Sequence, residues 1–449
     1  MRQYDNLIIG FGKAGKTLAG YLAKRGEATA LVEENPFHYG GSCINVACIP
    51  SKSLEHSAVL SAAFGGSLAE KKLRYQTAVQ EKRRLTDFLR QKNYEKLASS
   101  GAEIIDARAV FLDTRHVKIQ FPDGRADEAE AGRIFINTGA VTVIPPIPGI
   151  EGNPKVYTSE SMMELEELPE KLLIIGGGYI GLEFASYYNN FGSKVTVIQD
   201  SEQFIPREDK EMAALIEKTL VESGIEIIKG AKVEEIQGGS VHFTAGGKAE
   251  ERTGDAVLLA TGRKPNTANL GLEHAGVDVT ARGGIITDKQ CRTSVNHIFA
   301  MGDVRGDLQF TYISLDDFRI VKDQLAGEGT RTTKNRGAVP YSVFLDPPLS
   351  RVGMTEEEAR TAGFDVRIAR LEVAAIPKAQ VYKKPAGLLK AVIDAKTDTI
   401  LGAHFFCPES QEMINLMKAA IDHGITAHAL GSAIYTHPTM TEALNDLFG

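Results

Sequence analysis

The chain has 449 residues, 43% hydrophobic and 24% charged, and its 51 basic and 58 acidic side chains give a formal net charge of -7. That balance excludes a broad phosphate-binding face, so no nucleic-acid partner is expected. No stretch reaches the roughly 18 apolar residues that would span a bilayer, so no membrane partner is expected either.

Composition and length suit a globular enzyme of about three domains. The first element is a short apolar strand, Leu7-Ile8-Ile9, standing where a signal peptide would need an apolar core and a cleavage site; a cytoplasmic location is expected. It runs into Gly10-Phe11-Gly12-Lys13-Ala14-Gly15, an Ala/Leu-rich helix to about Arg25, and a strand from Ala28 to Val32 that ends at Glu33. Strand, G-x-G-x-x-G, helix and terminal acid make the fingerprint of a dinucleotide-binding βαβ unit. Gly10, Gly12 and Gly15 let the backbone approach a pyrophosphate seated on the helix N-terminus, and Glu33 suits a free ribose diol such as that of FAD.

Close behind stands Gly40-Gly41-Ser42-Cys43-Ile44-Asn45-Val46-Ala47-Cys48-Ile49-Pro50-Ser51-Lys52. Only four cysteines occur in the chain, and two of them fall in this run. A zinc site would want two further ligands at suitable spacing, which are missing, and two unrelated core thiols would not explain the clustering. A redox dithiol would, because a cysteine pair in a reducing cytosol is expected to be catalytic or redox-sensing. Five residues along an ideal helix separate Cα atoms by roughly 8.6 Å, beyond the roughly 7 Å that a disulfide tolerates. If the run is helical, its first turns must distort when the pair is oxidised, which raises reducibility. Lys52, four residues past Cys48, falls on the same helix face. Cys291 and Cys407 are isolated and read as ordinary thiols.

The segment from Glu70 to Lys96 is rich in Lys and Arg, with Leu73, Val79, Leu85, Phe88 and Leu89 near helical spacing, and reads as a solvated helix. A strand from Ile134 stops at Thr138-Gly139, and Val143-Ile144-Pro145-Pro146-Ile147-Pro148-Gly149 is a stiff linker. The βαβ unit then recurs: Leu172 to Ile175, the turn Gly176-Gly177-Gly178-Tyr179-Ile180-Gly181, a helix through Tyr188, and a strand from Lys194 to Ile198 ending at Gln199. The interval from first glycine to strand end is the same in both copies, and the second also closes on Thr-Gly, at Gly262. Two copies mean two nucleotides. Gln199 can bond a ribose hydroxyl and Asp200 would repel a 2'-phosphate, which favours NADH over NADPH. Farther on, Asp303 follows a buried strand and a glycine and is a candidate for a sugar or ribityl hydroxyl. From about Gly337 hairpin strands such as Leu388 to Ile393 and Ile400 to Phe406 precede an amphipathic helix, Ser410 to His423, giving an α+β domain.

These motifs, with Ala260 to Asn266, Ala300 to Val304 and His437-Pro438-Thr439 with Glu442, resemble the FAD-dependent pyridine nucleotide-disulfide oxidoreductases, the family of glutathione reductase, dihydrolipoyl dehydrogenase and mercuric reductase. The resemblance implies an α/β chain with two Rossmann-like domains, for FAD (residues 1-148 and 267-336) and NAD(P)H (149-266), and a C-terminal α+β dimerisation domain (337-449). It implies Cys48 as the thiol against the flavin and Cys43 as the interchange thiol. His437, oriented by Glu442, would be the acid/base that completes the dithiol site of the other subunit in a homodimer, and Lys52 would pair with Glu183 beside the flavin. Gly41, Ser42, Thr138, Gly139, Gly178, Gly181, Gly262, Gln309, Phe310 and Thr311 complete the expected cofactor contacts.

Within the family, Phe11 to Lys16, Gln309 to Asp317, Pro347 to Gly353 and Glu442 to Phe448 look like the RclA type, which comprises reactive-chlorine-resistance flavoproteins and hypothiocyanous acid reductases. That implies reduction of hypothiocyanous acid to thiocyanate by NAD(P)H, and copper(II) reduction has also been assigned to the type. Mercuric reductases end in a cysteine pair that this chain lacks. Dihydrolipoyl dehydrogenase chemistry, metal reduction, and a redox sensor that switches without turnover remain the alternatives.

Overall fold

The computed structural model describes residues 1–449. β1 (Arg2–Ile9), α1 (Lys13–Ala23) and β2 (Thr29–Glu33) form the first βαβ unit. β1 pairs in parallel with β2 on one side and with the strand Ala126–Ile136 on the other, placing Ile8 between Leu31 and Phe135. Leu7, Ile8 and Ile9 are buried because β1 lies between two parallel neighbours in a mixed sheet and is covered on both faces, which is why the strand reads as an unbroken apolar run. The sheet has seven strands, and its last partner, Ile298–Ala300, returns from far along the chain to pair with the 126–136 strand.

Between these strands lie α2 (Ser42–Asn45), α3 (Cys48–Phe64) and α4 (Leu68–Ala98). The expected helix through both cysteines is therefore broken. Val46 and Ala47 leave helical geometry, at φ/ψ of -138°/7° and -137°/-101°, and the helix restarts at Cys48. The break lies between the two cysteines, both of which are free thiols.

α4 starts on a Ser67/Glu70 capping box and runs 31 residues. Of the residues read from spacing Val79 is buried, but Leu73, Leu85 and Phe88 are exposed, Phe88 at 58%, and the inward face is completed by Tyr75, Ala78, Lys82 and Thr86. The reason is polar anchoring. Tyr75 donates to Leu165 O at 2.8 Å, and the buried Lys82 ammonium pairs with Glu164.

A second sheet of five parallel strands carries the repeated unit, with Ile175 beside Ile198 and Leu259. Two antiparallel crossings connect the sheets side by side, Ala140–Thr142 against Arg263–Pro265. The last five strands, from Tyr341–Val343 to Ile400–Phe406, form an antiparallel sheet covered by the helix Ser410–His423. The largest apolar cluster joins all three parts, with Leu54 and Tyr75, Leu172 and Leu182, and Val343 and Leu388 in one core. From this grouping of strands we propose domains at residues 1–148 with 267–336, at 149–266, and at 337–449.

Candidate active site

The first glycine turn is closed by contacts that no side chain could share. A Cβ on Gly12 would lie 2.3 Å from Asn137 Oδ1, and one on Gly41, whose φ is +84°, would lie 2.8 Å from Gly12 Cα. Backbone thus meets backbone where the dithiol segment crosses the turn. Asn137 locks the arrangement: Oδ1 accepts from Gly15 N at 2.8 Å, and Nδ2 donates to Met301 O at 2.6 Å. Beside this junction opens a cavity of about 410 Å³. Gly10, Gly12, Glu33, Gly41, Ser42 and Cys43 line one side, and Thr138, Gly139, Asp303 and Thr311 the other. Gly15 lies beneath the turn instead of in the cavity wall.

The cavity suits an extended dinucleotide. Its glycine wall admits a pyrophosphate, and at one end Glu33 already accepts from Phe11 N at 2.8 Å and Asn35 N at 3.1 Å, with lone pairs left for a diol. Burial pushes the Glu33 carboxyl upward, as it does that of Asp303. Thr138 spends its hydroxyl on Asn266 O at 2.7 Å, so it shapes the wall and leaves its backbone to face the ligand.

At the far end Cys43 lines the cavity, while Cys48 lies outside the lining next to Thr311; both thiols are half-buried. Cys48 Sγ lies 3.5 Å from Thr311 Oγ1. The Cys43 thiol facing it, then the Thr311 hydroxyl and the Lys52 ammonium, hold Cys48 down to about 6 against the opposing effect of burial. Cys43 moves the opposite way, raised first by Cys48 and then by burial. Cys48 is therefore the thiol held toward its anion, and Cys43 the one held toward its neutral form. Lys52 Nζ pairs with Glu183 Oε2 at 2.6 Å, and Glu183 Oε1 accepts from Phe344 N at 2.9 Å, so the ion pair ties α3 to the helix Tyr179–Phe191 and to the C-terminal part. Phe310 precedes Thr311 and stacks between Tyr312 and Tyr341. Gln309, beside it, is half-buried and lies outside the cavity lining.

The second glycine turn has different partners. Gly176 has φ +113°, and Cβ atoms on Gly176 and Gly181 would strike Ala260 O and Gly176 O at 2.4 and 2.1 Å. Gly178 meets nothing within 4 Å and caps the helix. Gln199 is buried, with Nε2 donating to Ser201 O at 2.7 Å and Gln203 O at 3.1 Å. Its amide nitrogen therefore serves the following loop, leaving only Oε1, which faces Gly177, for a ribose hydroxyl. Gly262 turns at φ +98° in open space.

His437 Nδ1 lies 2.8 Å from Glu442 Oε2, and Glu442 Oε1 accepts from Thr439 N at 3.1 Å. The bond from His437 pulls the Glu442 carboxyl down. Within one chain the imidazole has no bond to either thiol and is 72% exposed.

Sequence reasoning missed three supports of this site. Asn137 stands just before Thr138-Gly139, a position whose importance shows only when residues 15 and 301 meet. Asp317, fully buried, accepts from Gly302 N at 2.8 Å and pairs with Arg305 at 3.0 Å and Arg336 at 2.8 Å, fixing the Asp303 turn against the helix Thr311–Ala326. Tyr179 and Tyr341 both donate to buried Glu208 Oε1, the latter at 2.6 Å. Cys291, read as an ordinary thiol, lies buried 3.7 Å from Arg305 Nη1.

The family model "Pyridine nucleotide-disulphide oxidoreductase" matches residues 4–317, and its dimerisation-domain counterpart matches residues 339–448. The chain is 48% identical over 449 residues to the probable pyridine nucleotide-disulfide oxidoreductase RclA of Escherichia coli, covering 100% of this chain and 99% of that one. It is 34% identical over 466 residues to the dihydrolipoyl dehydrogenase of Mycobacterium tuberculosis, covering 100% and 98%. The solved Cu(II) complex of the HOCl-induced flavoprotein disulfide reductase RclA from Escherichia coli superposes with a TM-score of 0.94 at 48% identity, over 100% of this chain and 99% of that one.

Proposed function

Because the chain belongs to the pyridine nucleotide-disulfide oxidoreductases, enzymes that use FAD and NAD(P)H, we propose that it spends their electrons on a small oxidant at Cys43, with hypothiocyanous acid as the substrate and thiocyanate as the product. The observation that carries this reading is that Cys43 lines the nucleotide cavity and Cys48 Sγ lies 3.5 Å from Thr311 Oγ1, a residue of the same lining. Likeness to a reductase described as HOCl-induced favours an oxidant of the reactive-chlorine class.

The cavity walls fit FAD: Glu33 would hold the adenosine ribose, and Cys43 and Thr311, with Cys48 and Lys52 next to them, would serve the redox-active ring. When bound, FAD supplies the pair of electrons, drawn from a nicotinamide nucleotide at the second glycine turn, that opens the Cys43–Cys48 disulfide. Cys48 then holds the negative charge, stabilised by Thr311 and Lys52. Cys43 loses its proton to an imidazole and attacks the sulfenyl sulfur of hypothiocyanous acid; a new S–S bond forms, the S–O bond breaks, and the hydroxyl leaves as water after taking that one proton back from the imidazolium. The Cys48 thiolate next attacks Cys43 Sγ, expels thiocyanate and restores the disulfide. The imidazole is His437 of a second copy, since within one chain it is exposed and held only by Glu442; a homodimer completes two sites. The Glu442 carboxylate fixes the tautomer and supports the imidazolium.

NADH is the favoured donor, on the exposed Asp200 beside Gln199, and the reducing cytoplasm is the compartment where such a dithiol works. No helix is long and apolar enough to cross a membrane.

NAD(P)H oxidation measured with hypothiocyanous acid, copper(II), glutathione disulfide and lipoamide tests the assignment. The first should be fastest by about 10²-fold in kcat/KM, a difference worth about 3 kcal/mol. Lipoamide in first place would overturn it. Copper(II) is the second reading, favoured by the Cu(II) complex of the similar reductase.

A further inference from the structure

From Tyr341 to Asp346 the chain runs along one face of the helix Tyr179–Phe191. Tyr341 and Tyr179 share Glu208, with ring centroids 5.9 Å apart. Phe344 N donates to Glu183 Oε1 at 2.9 Å, Asp346 N to Ser186 Oγ at 3.1 Å, and Asn190 Nδ2 to Asp346 Oδ2 at 3.2 Å. Residues 179, 183, 186 and 190 recur at the spacing of a single helix face. The two runs stay in step because that span of helix and an extended chain from 341 to 346 are each about 16 Å long. Val343 and Leu345 are buried in the largest apolar core, and alternation sends the side chain of Phe344 the other way, toward α3. There the Lys52 ammonium lies 4.6 Å from the centre of the Phe344 ring, inside the roughly 6 Å at which a cation is drawn to an aromatic face. The oxygen partners of that ammonium are Glu183 Oε2 at 2.6 Å and Ser51 Oγ at 3.3 Å, so its third donor direction is left to the ring. Phe344 thus touches both members of the ion pair, the carboxylate through its backbone N–H and the ammonium through its ring.

We propose that Phe344 is a positioning residue for Lys52: its ring seats the ammonium while its N–H fixes the Glu183 carboxylate, so that a segment of the C-terminal part holds a cation in place for the redox-active ring. The inference rests on the reading that Lys52 serves that ring, and it adds what keeps the charge there. A lysine on a four-carbon stem, tied to one carboxylate alone, can swing about its partner; an aromatic face on a further side removes that freedom. Phe344 itself stands outside the nucleotide cavity, so it acts through Lys52 and not by touching the cofactor.

The test is the reduction potential of the flavin, measured by equilibrating full-length, flavin-loaded protein with redox dyes; it needs no oxidant substrate and so stands apart from the hypothiocyanous acid assignment. Lys52→Met should lower the potential, because the reduced ring gains negative charge and loses a nearby cation. Phe344→Leu keeps an apolar side chain and the N–H to Glu183 but removes the aromatic face, and it should lower the potential by about half as much. Phe344→Tyr, which keeps the face, should leave it unchanged. The double variant Lys52→Met with Phe344→Leu should match Lys52→Met alone, since a residue acting through the ammonium has nothing to act on once it is gone. Phe344→Met repeats the measurement if the leucine variant does not fold. A potential that falls in Lys52→Met and stays put in Phe344→Leu would overturn the proposal, and so would a double variant whose fall is the sum of the two singles, the mark of a purely structural role. No fall in Lys52→Met would overturn the reading beneath it, that Lys52 serves the ring, and the proposal with it.

Discussion

The two glycine turns share one spacing and differ in what closes them. Around Gly10 to Gly15 the partners are backbone atoms and a buried asparagine, and the dithiol segment leans on Gly12 through Gly41. Around Gly176 to Gly181 the turn closes on Ala260 and on the end of Gln199, and Gly178 is left open. The first turn has no free glycine: a methyl group on Gly10, Gly12 or Gly15 would strike a neighbour within 3 Å. The second keeps a free face. A resident cofactor gains from a wall that gives nowhere, since preorganisation lowers the cost of holding it, whereas a nucleotide that must come and go each cycle gains from an open approach.

Gly12→Ala would break the contrast at its strongest point. The new methyl group would have to displace Asn137, at an overpacking cost of about 1–3 kcal/mol. The expected outcome is protein without visible flavin absorbance, and with it no turnover. Retention of full flavin content would show that the first turn yields as readily as the second. Lys52→Met probes the chemical end of the same wall. Cys48 becomes a thiolate as pH rises through about 6, so its anion is present above that value and lost below it. Without the ammonium the midpoint of thiolate absorbance should rise by about one unit, and turnover should need correspondingly higher pH. The second turn should respond less. Gln199→Ala should raise KM for the nicotinamide nucleotide about threefold with kcat and flavin content unchanged, because one acceptor at the ribose is lost. Gly178→Ala should be nearly silent, within about 0.5 kcal/mol in thermal denaturation, as nothing lies near the added methyl group.

Much of this was legible from the sequence, for identifiable reasons. Both βαβ units announce themselves because each combines an apolar strand, fixed glycines and a helix within a short span. The pairing of Lys52 with Glu183 spans 131 residues and was readable only through resemblance, since no local rule links them. The break at Val46 and Ala47 escaped because helical patterning on both sides hid it. The buried side of α4 escaped because it is set by Tyr75 and Lys82 reaching polar partners, which outweighs the spacing of Leu73, Leu85 and Phe88. Asn137, Asp317 and Glu208 were invisible for a common reason: each has polar neighbours in sequence that mask it, and each is singled out only by partners met through the fold. Spacing cannot report such meetings.

The interruption between Asn45 and Cys48 has a kinetic meaning. A continuous helix would have to lose a turn whenever its sulfurs joined and regain it whenever they parted, and starting a turn afresh is the unfavourable part of helix formation. Here the chain is already bent at Val46 and Ala47 while the sulfurs are apart. On the proposed cycle, a backbone already bent there would spare the chain the remaking of that turn each time the sulfurs join and part.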